Sequence, residues 1–259
     1  MGSTTRITVI TITYNCAQSL SKTVESVLSQ DYDNIEYIII DGKSTDGTWE
    51  KIKSYEQRLS ERFGDRFFIQ SEKDSGISDA FNKGIKKASG DTILLLNAGD
   101  FFVSSSEARM AAEDFERFGN PGVLYYRVRI GKKSFMPGSD AQDDDDKIWE
   151  SCQVPHQGAF VSRKTYEKIG GYDTAFKIRM DFDFFARCFR GGVTHKYIPK
   201  EMASYEIGGT SMQLTNAKRF YAEGLSIMKK YGLPVTQADK LQPLIPNWFR
   251  RFVRLFIKR

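Results

Sequence analysis

The side chains of this sequence that could do chemistry stand at the ends of apolar runs. Thr13-Tyr14-Asn15 closes one run, Asp41-Gly42 a second, Ser71-Glu72-Lys73-Asp74 a third and Asn97-Ala98-Gly99-Asp100 a fourth. Two further carboxylates, Asp181 and Asp183, precede an apolar segment. A carboxylate within hydrogen-bond reach of a hydroxyl can take its proton as general base. Carboxylate and carbonyl oxygens are also the ligands of hard divalent cations, which offset phosphate charge. Acidic residues in such places fit a nucleotide site, with hydrogen bonds to base and ribose and a cation on the diphosphate. The glycine patterns of other nucleotide sites are absent: no GxGxxG follows the first run, and GxxxxGK[ST] occurs nowhere. His156 and His195 are the only histidines and lie far apart, which argues against a histidine zinc site. Three cysteines without CxxC spacing argue against a disulfide framework and for reduced thiols.

Those residues need elements to hold them. Ile7 to Thr13 is rich in β-branched residues and predicts a buried strand. Leu20 to Gln30 predicts a helix, Ile35 to Ile40 a strand, Ser44 to Tyr55 a helix opened by cap-type residues, and Phe67 to Ile69 a short strand. Ile77 to Ala88 predicts a helix and Thr92 to Leu96 a strand. Alternation of this kind predicts βαβ units and a mainly parallel sheet. Such sheets are covered on both faces, so their strands are continuously apolar, and they bind ligands at their carboxyl ends. Beyond Asp100 the pattern loosens. A helix is expected over Glu107 to Phe118, strands over Gly122 to Ile130, Lys133 to Met136 and Gln157 to Val161, and helices over Arg163 to Ile169, Phe182 to Arg190 and Leu214 to Tyr231. Tyr205 to Ser211 is expected as a mobile loop over the donor, and Asp143 to Asp146 as a solvated one.

The segments Thr13-Tyr14-Asn15, Ile40-Asp41-Gly42-Lys43-Ser44-Thr45-Asp46-Gly47-Thr48, Glu72 to Gly84 and Leu96-Asn97-Ala98-Gly99-Asp100, in that order, resemble family 2 glycosyltransferases of the GT-A fold. Gly170-Gly171-Tyr172-Asp173 followed by Asp181-Phe182-Asp183 resembles the later acidic motif of that family, so the likeness covers roughly residues 6 to 211. The resemblance implies an α/β fold with a Rossmann-like, mainly parallel sheet flanked by helices, and an irregular acceptor-side second half. It also implies inverting transfer from a nucleotide sugar. Thr13, Tyr14 and Asn15 would line the nucleotide site, Asp41 would hydrogen-bond the uracil or ribose, and Asp74 would approach the nucleotide with Lys73 near the diphosphate. Asp100 would hold Mn²⁺ or Mg²⁺, and Asp181 would be the base, with Asp183 its rival. The metal segment departs from the family pattern: Asn97 replaces the usual first Asp and Gly99 a middle acidic position. Asn still offers a carbonyl oxygen but no charge.

Other polar residues carry plainer expectations. Asp46 shapes the turn before a helix, and Asp79 and Asn82 belong to a helix's first turns. His156 is expected to be packed or at the surface, with a donor-sugar or acceptor contact as its functional alternative.

At 259 residues, with 40% hydrophobic and 27% charged side chains, the chain is large enough for a core without crosslinks. No apolar run is long enough to span a bilayer. No apolar leader precedes the first strand pattern, which predicts a cytoplasmic location. The net charge is +5, and the last ten residues hold five basic side chains and no acidic one, leaving a neutral body. That placement does not describe a nucleic-acid surface. Phe249, Phe252, Val253 and Phe256 fall on one helical face and Arg250, Arg254 and Lys258 on another. The resemblance and this tail together imply a GT-A domain over residues 1–235 and a basic amphipathic tail over 236–259, peripheral on the inner, anionic membrane face. The partners expected are a nucleotide-sugar donor, most readily a UDP-sugar, and a lipid-linked or polysaccharide acceptor. Two rivals stand beside this reading: a nucleotidyltransferase, and a catalytically inactive module that binds nucleotide sugar or scaffolds an assembly.

Overall fold

The computed structural model describes residues 3–130, 133–135, 146, 149, 152, 154–205 and 216–233. The N-terminal half alternates as its sequence predicts: β1 (Ile7–Thr13), α1 (Leu20–Leu28), β2 (Ile35–Asp41), α2 (Thr48–Ser54), α3 (Glu56–Phe63), β3 (Phe67–Ser71), α4 (Ile77–Lys87) and β4 (Thr92–Leu95). Then come β5 (Phe101–Phe102), α5 (Glu107–Arg117), β6 (Val123–Ile130), β7 (Lys133–Phe135), β8 (Ala159–Ser162), α6 (Arg163–Ile169), α7 (Met180–Arg190) and β9 (His195–Tyr205).

One sheet runs β3-β2-β1-β4-β8-β6-β9-β5, with β7 paired to β6. The β3-β2-β1-β4 half is wholly parallel. β8 reverses direction against both β4 and β6, and β9 returns parallel to β6. Successive side chains of a strand point to opposite faces. Ile7 and Val9 therefore join Tyr37, Ile39 and Leu94 in a core with Leu20, Val24, Ile52, Phe63 and Phe115 of the helices. Ile10 points the other way, onto α4. There a Cβ added to Gly84 would lie 2.5 Å from Ile10 Cγ2, so glycine is what lets this helix lie close on β1.

Several details differ from the sequence expectation, among them the short strand β5 and a tight turn over His156–Gly158 where a strand was expected to begin at Gln157. The helix expected from Ser44 begins at Thr48: the Ser44 hydroxyl is spent on Asn15 N and Asp41, and Asp46 accepts from Thr48 N at the helix start. α3 follows directly; its buried contribution is Leu59 and Phe63, too sparse a stripe to read unaided. β9 is a long strand where none was expected, since Lys196, Pro199, Lys200 and Glu201 interrupt any apolar run. Tyr205 closes β9, while the rest of the expected loop, 206–211, lies outside the described residues. So does the run Asp143 to Asp145; Asp146 is exposed, 3.5 Å from His195.

The chain divides into two compact units, Met1–Ile207 and Gly208–Arg259. Among the described residues the second contributes α8 (Ala217–Tyr231), closed by Gly232 in the left-handed region and carrying Lys229 and Lys230 in its last turn. Cations there meet the negative end of the helix dipole. The expected tail, 236–259, lies outside the described residues.

Candidate active site

The carboxyl ends of β1, β2 and β3 form the first part of the site. Tyr14, just past β1, is 66% exposed, whereas Thr13 before it is buried. Asn15 takes a left-handed backbone (φ 48°), and its Oδ1 accepts from Thr45 N at 2.9 Å. Asp41 is fully buried, and its two oxygens accept from Thr13 Oγ1, Ser44 N, Ser44 Oγ and Ser71 Oγ at 2.5–3.0 Å. A carboxylate has about four lone-pair sites, so in this arrangement Asp41 is fully engaged. Thr13 is thereby tied to Asp41. Gly42 separates Tyr14 from Asp74: a Cβ there would lie 2.4 Å from Asp74 Oδ2 and 3.3 Å from Tyr14 Cδ2. The other Asp74 oxygen accepts from Gly76 N at 2.9 Å, ahead of α4. Lys73 is exposed, its carbonyl held by Lys83 Nζ at 2.8 Å.

The end of β4 forms the second part. Asn97-Ala98-Gly99-Asp100 turns sharply, with Asp100 N donating to Asn97 O and Gly99 at φ +105°. Thr23 of α1, fully buried, clamps this turn: its hydroxyl reaches Asn97 O (3.2 Å) and Asp100 O (2.7 Å) and accepts from Gly99 N (2.8 Å). The Asp100 side chain is buried beneath.

Continuing the antiparallel register of β4 and β8, in which Leu94 faces Phe160, brings Gln157 across from Asn97 and His156 next to it. Asn97 Nδ2 and His156 Nε2 are 3.0 Å apart, and His156 Nδ1 is 3.8 Å from Asp181 Oδ2. Asp181 stands in the first turn of α7 with its side chain 35% exposed, and its Oδ1 accepts from Phe182 N at 2.8 Å. Burial pushes its carboxyl up, but His156, Arg179 and the Phe182 amide outweigh that and hold it below its ordinary value. Asp181 is thus ionised at neutral pH and open to a partner.

Asp183 is neither open nor available. It is fully buried, and its Oδ2 accepts from Arg187 Nε at 2.9 Å. The same guanidinium donates to Ile169 O (2.8 Å) and Gly171 O (2.6 Å). Asn82 of α4 fastens the adjoining loop from its other side, accepting from Tyr172 N and donating to Tyr172 O, both at 2.8 Å. Tyr172 also packs between Phe81 and Phe184. Asp183 and Asn82 therefore build the wall from which Asp181 projects.

The glycosyl transferase family 2 model matches residues 8–180. The chain belongs to that family. Two relatives agree. A PGL/p-HBAD biosynthesis glycosyltransferase of Mycobacterium tuberculosis is 31% identical over 206 residues, 78% of each chain. The putative glycosyltransferase EpsE of Bacillus subtilis is 35% identical over 199 residues, 74% of this chain and 69% of its own. Among solved structures, S. aureus TarS 1-349 in complex with UDP-GlcNAc superposes with a TM-score of 0.70 at 17% identity, covering 91% of this chain and 69% of that one. The mannosyltransferase PcManGT from Pyrobaculum calidifontis, in complex with GDP-Man and Mn²⁺, gives 0.68 at 18%, covering 92% and 67%. At those identities the structural likeness establishes the GT-A fold, and the family membership makes this chain a glycosyltransferase.

For a family 2 glycosyltransferase the donor set beside Asp181 is sparse. Among the described residues no three His, Cys, Asp or Glu side chains gather as a cation site. The Asn97 turn offers the Asp100 carboxylate and Asn97 Oδ1, a buried oxygen that accepts no hydrogen bond. Leaving a buried acceptor open costs about 1–3 kcal/mol, and oxygen is what Mg²⁺ and Mn²⁺ seek. One carboxylate and one amide oxygen fit a cation whose remaining ligands are diphosphate oxygens and water.

Sequence reasoning did not place His156 between Asn97 and Asp181. Its signal is faint: a histidine after proline, at the entry of a strand whose antiparallel pairing to β4 no local pattern announces.

Proposed function

We propose that this glycosyltransferase moves a sugar from a UDP-sugar, with inversion at the anomeric carbon, to a hydroxyl of a lipid-linked or polysaccharide acceptor. The observation that carries the reading is the contrast between the two candidate bases: Asp181 is ionised and open, whereas Asp183 is sealed against Arg187. Asp181 takes the acceptor hydroxyl's proton as its oxygen bonds the anomeric carbon. The bond to the diphosphate breaks on the opposite face, and UDP departs. Asp100 and Asn97 would hold Mn²⁺ or Mg²⁺, which when bound supplies Lewis-acid stabilisation of the departing charge. Tyr14, with its exposed ring, faces the base. Asp74 and Lys73 border the ribose and diphosphate. Asn15 and Thr13 fix the loops around them, and Asp41 accepts a base or ribose donor in place of one of its serines. The UDP and UDP-GlcNAc held by TarS support uracil, and the GDP-Man and Mn²⁺ held by PcManGT support a metal-assisted diphosphate leaving group.

The test is proton NMR of slow donor hydrolysis, with water as acceptor. The first free sugar formed is expected to carry the anomeric configuration opposite to the donor's; retention would contradict the reading.

Residues 1–235 are proposed as the catalytic part and 236–259 as an arm that rests on the inner face of the cytoplasmic membrane. The arm's alternation of phenylalanine and arginine faces supports this. Among the described residues no helix is long and apolar enough to cross a membrane. Deleting 246–259 is expected to abolish sedimentation with anionic vesicles, and unchanged sedimentation would remove the membrane proposal.

A further inference from the structure

Three polar groups from three separate elements meet at His156. Asn97 comes from the turn after β4, His156 from the turn before β8, and Asp181 from the start of α7. The imidazole cannot swing freely. Its ring sits edge-on to Phe81, with centroids 5.7 Å apart, and Phe81 is itself buried against Tyr172. The turn carrying it is pressed onto β6: a Cβ on Gly158 would lie 2.7 Å from Tyr126 O and 2.9 Å from Val128 Cγ2. The ring nitrogens therefore face fixed partners, Nε2 the Asn97 amide nitrogen at 3.0 Å and Nδ1 the Asp181 carboxylate at 3.8 Å.

The chemistry of the partners decides where the proton sits. With the Asn97 amide nitrogen toward Nε2 and a carboxylate toward Nδ1, the neutral ring that matches both partners accepts at Nε2 and carries its hydrogen on Nδ1. The reverse tautomer would set two donors face to face at one nitrogen and two acceptors at the other. Rotating the Asn97 amide by half a turn would mend the first conflict only. With Nδ2 committed to His156, Asn97 Oδ1 is the amide atom left over, and it is buried without a hydrogen-bond partner.

We propose that His156 is a positioning residue, held as the Nδ1–H tautomer, that sets two groups at once. It aims the Asn97 amide so that its oxygen is offered to the leaving-group side, and it steers the Asp181 carboxylate on the acceptor side. One imidazole thus ties the two ends of the displacement into a single rigid geometry. The separation at Asp181 is longer than a direct hydrogen bond, as is common before substrate closes a site. The inference rests on the reading of Asp181 as base, but its structural half does not.

The chain has two histidines, so protein labelled with ¹⁵N-histidine shows two imidazoles, and the one lost in His156→Gln is assigned. In metal-free wild-type protein, long-range ¹H–¹⁵N spectra are expected to show His156 Nδ1 protonated and Nε2 bare. A protonated Nε2 would overturn the proposal, whatever the catalytic result. In donor turnover, His156→Ala is expected to lose about 10–100-fold in kcat, the range for removing a group that orients a ligand or base, with the UDP Kd measured without Mn²⁺ unchanged. His156→Gln, whose amide offers an oxygen to Asn97 and an N–H to Asp181, is expected to recover most of that loss. Equal impairment of the two variants, or loss confined to UDP binding, would overturn it. Asp181→Asn retaining full transfer would remove the base reading while the tautomer result stood by itself.

Discussion

An Asp181→Asn enzyme is expected to bind UDP as the wild type does and to transfer sugar about 10²–10⁴-fold more slowly, the range for losing a positioned general base. The substitution is nearly isosteric and keeps an acceptor oxygen toward Phe182 N, which Asp181 Oδ1 engages at 2.8 Å. It removes only the charge that could take a proton. Asp181 is suited to that role because it starts a helix, stays 35% exposed and faces an imidazole held by its neighbours. Steady-state transfer beside UDP calorimetry checks the split. Wild-type transfer by Asp181→Asn would end the assignment, and loss of UDP affinity with transfer would show that the residue serves the donor instead.

The Arg187→Ala variant is expected to lose stability, by about 3–5 kcal/mol, the cost of stripping one partner from a buried ion pair. Asp183 is fully buried, and Arg187 donates to it and to the carbonyls of Ile169 and Gly171. Removing the guanidinium strands a carboxylate in the wall behind Tyr172 and leaves two carbonyls to find other donors. Chemical denaturation reads this directly. Where the variant still folds, its kcat per folded molecule should fall far less than that of Asp181→Asn. An unfolding free energy near the wild-type value would mean that Asp183 is reached by water and is again a candidate base.

Much of this was legible in the sequence, for physical reasons. β1 and β2 are nearly continuous β-branched runs because helices cover both faces of the sheet, and α1 and α4 announce themselves by spacing alone. The polar strand ends could be placed because a parallel sheet presents all its carboxyl ends on one edge. What was hidden depended on antiparallel pairing and burial. β9 conceals itself behind Pro199 and its charged neighbours. His156 gains its partners only because β8 reverses beside β4. Asp181 and Asp183 look interchangeable as letters, and the arginine four residues after Asp183 separates them. Asp41 shows the opposite lesson: its position at a strand end was readable, but its engagement by Thr13, Ser44 and Ser71 was not.

The central claim is a nucleoside diphosphate site whose cation arrives with the donor and is held by Asp100 and Asn97. The most direct measurement is calorimetric titration of UDP into wild type and Asp100→Asn, each with and without Mn²⁺, with GDP as comparison. The account predicts that UDP binds wild type tightly only with Mn²⁺, and that Asp100→Asn loses the gain from Mn²⁺. Absence of nucleotide binding, or a gain from Mn²⁺ that survives in Asp100→Asn, would contradict it.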